Sequence, residues 1–129
     1  MKKDNSKAYK EWFLQADYDY DTAKALYKSG RYLYTVFMCH LAIEKALKGL
    51  WIKELDTFPT KTHNLVYLVE KIGLKLSEKD AEFVYMLSDV SMPTRYPEDL
   101  KTMTKLYPKD RANDILIHSK KLLQWIKEQ

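Results

Sequence analysis

Three polar residues recur at every fourth position in the middle of the sequence: His40, Glu44 and Lys48. Residues four apart share one face of an α-helix, so an imidazole, a carboxylate and an ammonium group would stack along that face. His40 and Glu44 interrupt an otherwise apolar stripe, where polar groups must find partners. Two interpretations follow: a polar ligand-binding site in a cleft, or a buried structural network that a neighbouring helix completes.

A second candidate pair, Arg111 and His118, lies near the C-terminal end of the sequence. Seven residues make nearly two helical turns, so the two side chains would point the same way, about 10 Å apart along the axis. In metal-independent RNA cleavage, an imidazole can accept the 2′-hydroxyl proton while a guanidinium stabilises the phosphorane charge. The alternative is that His118 is a packing residue, because it falls between Ile115 and Leu122 in the helical pattern.

Two loops carry further candidate ligand-binding residues. Arg95-Tyr96-Pro97 precedes the last helix, and Pro97 biases Tyr96 towards an extended backbone. Arg95 could then reach a phosphate or a carboxylate such as that of Glu44. His63 ends the loop over residues 56–63, where it could bind a ligand or could cap a helix or pack.

Several familiar chemistries have no support in the sequence. There is no Gly-rich phosphate loop and no nucleophile-elbow motif. A single cysteine and three histidines lie far apart in the sequence, so we predict no metal site and no cofactor. A self-contained metabolic enzyme is therefore not expected.

The apolar residues recur at spacings of three and four, which predicts helices. Five are expected, over residues 7–28, 32–55, 62–72, 78–90 and 108–127. Gly30 and Gly73 stand where left-handed C-terminal caps belong, and Thr62 and Ser77 are the predicted N-caps. The proline-flanked segment over residues 91–107 is predicted to be irregular. The fold class is all-α: a single domain over residues 1–129, an up-and-down helical bundle of four long helices plus one short helix.

The same spacing predicts which residues of the last two helices face the core. In the fourth helix these are Ala81, Val84, Leu87 and Val90. In the fifth they are Ala112, Ile115, Ser119, Leu122 and Ile126.

Composition indicates a soluble, cytoplasmic, globular protein. The sequence is 46% hydrophobic and 31% charged, with no apolar leader and no apolar run long enough for a membrane span. Cys39 is the only cysteine, which fits a reducing compartment. The net charge of +4 equals the excess of seven basic over three acidic residues within 101–129. That excess indicates either a phosphate-bearing partner or an ordinary solvated helix face.

Several segments together resemble the HEPN domain family, and the resemblance extends over about residues 8–127. They are Trp12-x-x-x-Ala16-x-x-Asp19, Ala23-x-x-Leu26, Gly30-Arg31-Tyr32, Cys39-His40-Leu41-Ala42-Ile43-Glu44-Lys45-Ala46-Leu47-Lys48, Thr62-His63-Asn64-Leu65 and Arg95-Tyr96-Pro97. The resemblance implies a helical bundle, a homodimer, and association with a minimal nucleotidyltransferase, often as one half of a toxin–antitoxin pair.

Two functions are compatible with that resemblance. The first is a nucleotide- or RNA-binding subunit, with Glu44, Lys48, Arg95 and Arg111 carrying the ligand and His40 orienting Glu44. The second is a metal-independent endoribonuclease toxin that uses Arg111 and His118. The ribonuclease branch of the family usually has a polar residue after the arginine, whereas this sequence has Ala112. We therefore favour the binding subunit.

Overall fold

The computed structural model describes residues 6–90 and 100–129, and these residues form six helices and no strand. The helices are α1 (Ser6–Lys28), α2 (Tyr32–Leu55), α3 (Leu65–Ile72), α4 (Glu78–Ser88), α5 (Leu100–Lys105) and α6 (Lys109–Lys127). The predicted all-α class is confirmed. The count of five helices was wrong, because α5 lies inside the segment predicted to be irregular. No proline falls between Pro97 and Pro108, so nothing there prevents a single short helix.

A tight turn joins α1 to α2 and makes them an antiparallel hairpin. Gly30 has φ of +80°, and the amides of Gly30 and Arg31 donate to the carbonyls of Tyr27 and Leu26. That conformation costs glycine little and most other residues considerably more. The two helices pack closely where Gly49 of α2 meets the ring of Phe13 from α1.

Helix α2 lies at the centre of the bundle, in contact with α1, α3 and α6. It is buried around most of its circumference, which explains why apolar residues occur on more than one of its faces. Ile43, Leu47 and Leu50 of α2 form the core together with Leu122 and Ile126 of α6. The polar residues of α2 that lie in this surface therefore have little access to water.

The predicted inward-facing residues of the last helix are all buried: Ala112, Ile115, Ser119, Leu122 and Ile126. Among the residues predicted to face the core from the fourth helix, Val84 and Leu87 of α4 are buried, and so is Val90 just beyond its end, but Ala81 is exposed. At 100° per residue Ala81 lies about 120° around α4 from Leu87. Phe83 takes the inward position instead.

The helix ends correct one predicted cap and confirm another. Asn64, not Thr62, caps α3: its Oδ1 accepts from the Tyr67 amide at 3.0 Å. Thr62 Oγ1 instead accepts from the Asn64 amide, and the helix begins at the residue after Asn64. Ser77 caps α4 as predicted, with Oγ accepting from the Asp80 amide at 3.1 Å. The Asp80 carboxylate, however, binds His118 of α6.

Candidate functional site

Helix α2 places His40, Glu44 and Lys48 on one face, as the spacing predicts, and all three are buried. A fourth polar side chain, His63, reaches them from the loop before α3. We call these four residues the Glu44 cluster. Each of the three α2 residues makes at least one polar contact, as expected for polar groups in an apolar stripe.

Glu44 is the centre of this cluster, and each of its oxygens has its own contacts. Oε1 lies 2.7 Å from Nδ1 of His63 and 3.3 Å from Nε2 of His40. Oε2 accepts a hydrogen bond from Nζ of Lys48 at 3.1 Å. Burial alone would raise the pKa of the Glu44 carboxyl, but the two imidazoles and the Lys48 ammonium outweigh it and hold that pKa at about 2. Glu44 is therefore a carboxylate at neutral pH.

The backbone of α4 fixes the orientation of His40. Nδ1 of His40 lies 2.9 Å from the carbonyl oxygen of Leu87, and a carbonyl can only accept, so Nδ1 carries a proton. The other ring nitrogen, Nε2, is buried and makes no aligned hydrogen bond, although Oε1 of Glu44 is near. A buried polar atom without a partner is uncommon in a native structure.

The loop that presents His63 is held at both ends. Trp51 of α2 donates from Nε1 to Oγ1 of Thr57 at 3.0 Å, and the amide of Leu65 donates to Oγ of Ser88 at 3.0 Å. His63 itself neither caps α3 nor packs in the core, since its side chain is 52% exposed. The structure thus brings together, on one carboxylate, two histidines that lie 23 positions apart in the sequence.

A second polar constellation lies between α4 and α6, around His118. Nε2 of His118 lies 2.7 Å from Oδ1 of Asp80, and its ring stacks on Phe83 with centroids 3.8 Å apart. The side chain is 21% exposed and borders an open pocket of about 530 Å³, here called the α4–α6 pocket. The pocket is lined by Lys79, Asp80, Asp114, Ile117, His118, Lys121, Leu122 and Trp125.

Arg111 does not line that pocket. Its guanidinium donates to the carbonyl oxygen of Leu106 at 2.8 Å and lies over the Tyr107 ring, 4.9 Å from the centroid. Within one chain, Arg111 and His118 are therefore held by different partners. Arg95, Tyr96 and Pro97 lie outside the described residues.

Sequence reasoning missed the pocket residues contributed by α4. Asp80 stands three residues after the N-cap Ser77, a spacing typical of a local capping box, and no sequence pattern predicted its contact with His118, 38 residues away. Lys121 carried no signal beyond the basic character of the last helix, and Lys79 and Trp125 carried none.

Cys39 offers no reactive thiol. It is buried, and burial raises the pKa of its thiol to about 12, although the nearby Ser119 side chain acts in the opposite direction. Because the thiolate is the nucleophile, Cys39 is unreactive while the protein stays folded.

The described residues thus form a helical bundle with a buried polar cluster on its central helix and an open pocket on its last. None of the described helices is long and apolar enough to cross a membrane. The HEPN domain model matches residues 9–129, and the chain belongs to this family.

Solved structures support the same fold. The crystal structure of TT1696 from Thermus thermophilus is similar with a TM-score of 0.80 and 24% identity, over 93% of this chain and 96% of that one. ST0689, an archaeal HEPN homologue, is similar with a TM-score of 0.73 and 23% identity, over 94% of this chain and 96% of that one. No curated protein gave a significant match to the sequence.

Proposed function

We propose that this protein is a nucleotide- or RNA-binding subunit whose ligand places its phosphate in the α4–α6 pocket. One observation carries the proposal: Lys79 of α4 and Lys121 of α6 line the same open pocket as His118 and Trp125. Its volume of about 530 Å³ suits a nucleotide, since small-molecule sites span roughly 300–1,000 Å³.

The lining residues match the parts of a nucleotide. Two ammonium groups, from Lys79 and Lys121, can bind phosphate oxygens through charge-assisted hydrogen bonds. The Trp125 ring offers a surface on which a base can stack, with Leu122 beside it. Asp114 can accept a hydrogen bond from a ribose hydroxyl or an exocyclic amino group.

The Glu44 cluster is less suitable for a phosphate. Its ammonium group, on Lys48, is buried and already bonded to Glu44. The proposal therefore moves the phosphate from the predicted Glu44 and Lys48 to the α4–α6 pocket, and keeps the Glu44 cluster for another role.

The proposed biological partner is a minimal nucleotidyltransferase, in a pair of the toxin–antitoxin kind. This part rests on the HEPN resemblance, which implies such pairing. The basic excess within residues 101–129 supports a phosphate-bearing ligand but carries no information about the partner protein.

The test is a calorimetric titration with ATP and with a short single-stranded RNA, using the double variant Lys79→Ala/Lys121→Ala. We expect binding to weaken by roughly tenfold or more, because a hydrogen bond to a charged group contributes about 1.5–3 kcal/mol. The matched control is Lys10→Ala/Lys28→Ala, which removes the same charge from exposed positions of α1. Equal losses in both variants, or no binding by the wild type, would contradict the proposal.

The ribonuclease function remains a second candidate because of one observation, the 2.7 Å contact between His118 and Asp80 at the pocket. A carboxylate that orients an imidazole is typical of histidines acting as general bases. Arg111 would have to leave Leu106, or a second chain would have to supply another cation. Incubation with a tRNA pool in EDTA separates the candidates: cleavage that disappears in His118→Ala supports the ribonuclease, and intact RNA with a folded wild type contradicts it.

A further inference from the structure

We propose that His40, Glu44 and His63 form a binding site for a divalent transition-metal ion of the zinc class. The candidate ligand atoms are Nε2 of His40, Oε1 of Glu44 and Nδ1 of His63. All three atoms lie within 4.8 Å of one another. None of these residues lines the α4–α6 pocket, so this inference stands or falls independently of the proposed function.

The strongest support is the unpartnered nitrogen of His40. Because Nδ1 donates to the Leu87 carbonyl, the neutral ring presents the lone pair of Nε2 to the cluster. Oε1 of the Glu44 carboxylate lies 3.3 Å from Nε2 in a buried setting, off the direction of that lone pair. A metal cation bound to both Nε2 and Oε1 would give this buried nitrogen the partner that it lacks. A proton on Nε2 is the alternative occupant, but the two atoms are not aligned for a hydrogen bond.

The separation between the His40 and Glu44 ligand atoms suits tetrahedral coordination. With bonds of about 2.0–2.2 Å to nitrogen and oxygen, two ligands of one tetrahedral ion are about 3.3 Å apart. Nε2 of His40 and Oε1 of Glu44 already have that separation, 3.3 Å. His63 is closer, at 2.7 Å from Oε1, and must move outwards by about half an ångström to admit an ion. Its exposed position on a loop permits that adjustment.

Groups outside the three ligands hold them as in known metal sites. The Leu87 carbonyl fixes the ring orientation of His40, and Lys48 binds the Glu44 oxygen that faces away from the ion, Oε2. Such outer contacts orient metal ligands and tune their affinity. The Lys48 charge is opposed by the carboxylate that lies between it and the ion site, so Lys48 does not preclude a cation.

The ligand types define the class of ion. Two imidazoles and one carboxylate suit zinc and similar first-row ions, whereas calcium and magnesium prefer oxygen ligands alone. Because the His63 side chain is 52% exposed, the fourth position would face solvent. Three protein ligands with one open position are typical of zinc sites that bind water or a substrate, rather than of closed structural sites.

The test uses the tag-free full-length protein, stripped of metal with a chelator and titrated with zinc chloride in a calorimeter. We expect one zinc ion per chain. Replacing zinc with cobalt should give the visible absorption bands of a four- or five-coordinate ion. Both readouts report binding to the protein itself and require no assay of activity.

Two variants locate the site. His63→Ala removes an exposed ligand, so the fold should persist, and affinity should fall by more than about 100-fold, because loss of even an outer partner costs about 10- to 100-fold. Glu44→Gln keeps the shape of the side chain but removes the charged ligand, and should weaken binding similarly. His118→Ala is the matched control for adventitious binding to imidazole and should leave zinc affinity unchanged.

Three outcomes would overturn the inference. The first is a wild-type protein that binds no zinc, which would leave the Glu44 cluster as a hydrogen-bonded network. The second is an equal loss in His63→Ala and His118→Ala, which would indicate binding to histidines in general. The third is a Glu44→Gln variant that remains folded by circular dichroism and binds zinc as the wild type does.

Discussion

At the scale of single residues, short-range contacts could be predicted from the sequence and long-range ones could not. His40, Glu44 and Lys48 were found because four-residue spacing on one helix places side chains together. The contact of His63 with Glu44 depends on how the loop before α3 folds back, which no local pattern encodes. The contact between Asp80 and His118 depends on the packing of α4 against α6.

Tyr20 provides a test of the buried polar contacts. Its hydroxyl donates to the Leu116 carbonyl of α6 at 2.9 Å, and the side chain is buried. Tyr20→Phe should lower the free energy of unfolding by about 1 kcal/mol, the net contribution of a typical hydrogen bond. Tyr18→Phe is the matched control at a position that is 74% exposed, and should change that free energy by less than about 0.5 kcal/mol. Urea denaturation at neutral pH measures both.

The same tyrosine should make stability depend on alkaline pH. Burial, with smaller contributions from Cys39 and Asp21, raises the pKa of Tyr20 to about 12, against 10.0 in an unfolded chain. Between these values the unfolded chain releases the phenolic proton and the folded chain retains it, so rising pH favours unfolding. The loss should approach about 1.4 kcal/mol per pH unit above pH 10. Tyr20→Phe should lose correspondingly less over that range, and parallel profiles for the two proteins would contradict the assignment.

At the scale of helices, the clearest turn and cap residues predicted the helix ends most accurately. The Ser29-Gly30-Arg31 turn separated α1 from α2, and the Ser77 cap began α4 at the right residue. The start of α3 was misplaced because Thr62 and Asn64 are both good N-caps and only the folded loop selects between them. The six-residue α5 was missed because it has no buried residue, and hence no apolar periodicity to detect.

The close approach of α1 and α2 can be tested at Gly49. A Cβ atom there would lie 2.7 Å from the Phe13 ring and 3.1 Å from Cβ of Trp12. Gly49→Ala should therefore destabilise the protein by about 1–3 kcal/mol, although alanine is the better helix former by about 1 kcal/mol. In a Phe13→Ala background the main clash is absent, and the cost should shrink or change sign. A double-mutant cycle by urea denaturation measures the coupling; equal costs in both backgrounds would contradict this packing.

At the scale of the whole molecule, the class and the family were within reach of the sequence. Long uninterrupted apolar periodicity, with only 3 Gly and 4 Pro, left few alternatives to a helical bundle. The position of the α4–α6 pocket could not be predicted from the sequence, because its walls come from two helices whose relative placement follows from packing of the entire core.

Assembly into a homodimer remains a prediction. Large apolar side chains are exposed on several helices, among them Tyr18 on α1, Tyr85 on α4 and Ile117 on α6. Tyrosine is enriched at protein interfaces, because it combines apolar area with a polar tip. Light scattering over a dilution series should give twice the mass of one chain. A mass of one chain throughout the series would contradict the prediction.

The three tryptophans lie at three different places of interest. The ammonium of Lys48 in the Glu44 cluster lies 5.8 Å from the centroid of the Trp12 ring. Trp51 bonds to Thr57 at the start of the loop that carries His63, and Trp125 lines the α4–α6 pocket. The protein therefore contains its own fluorophores: one beside the Glu44 cluster, one at the α4–α6 pocket, and one against the loop before α3. Variants that keep a single tryptophan would each report in their emission spectrum on a separate region.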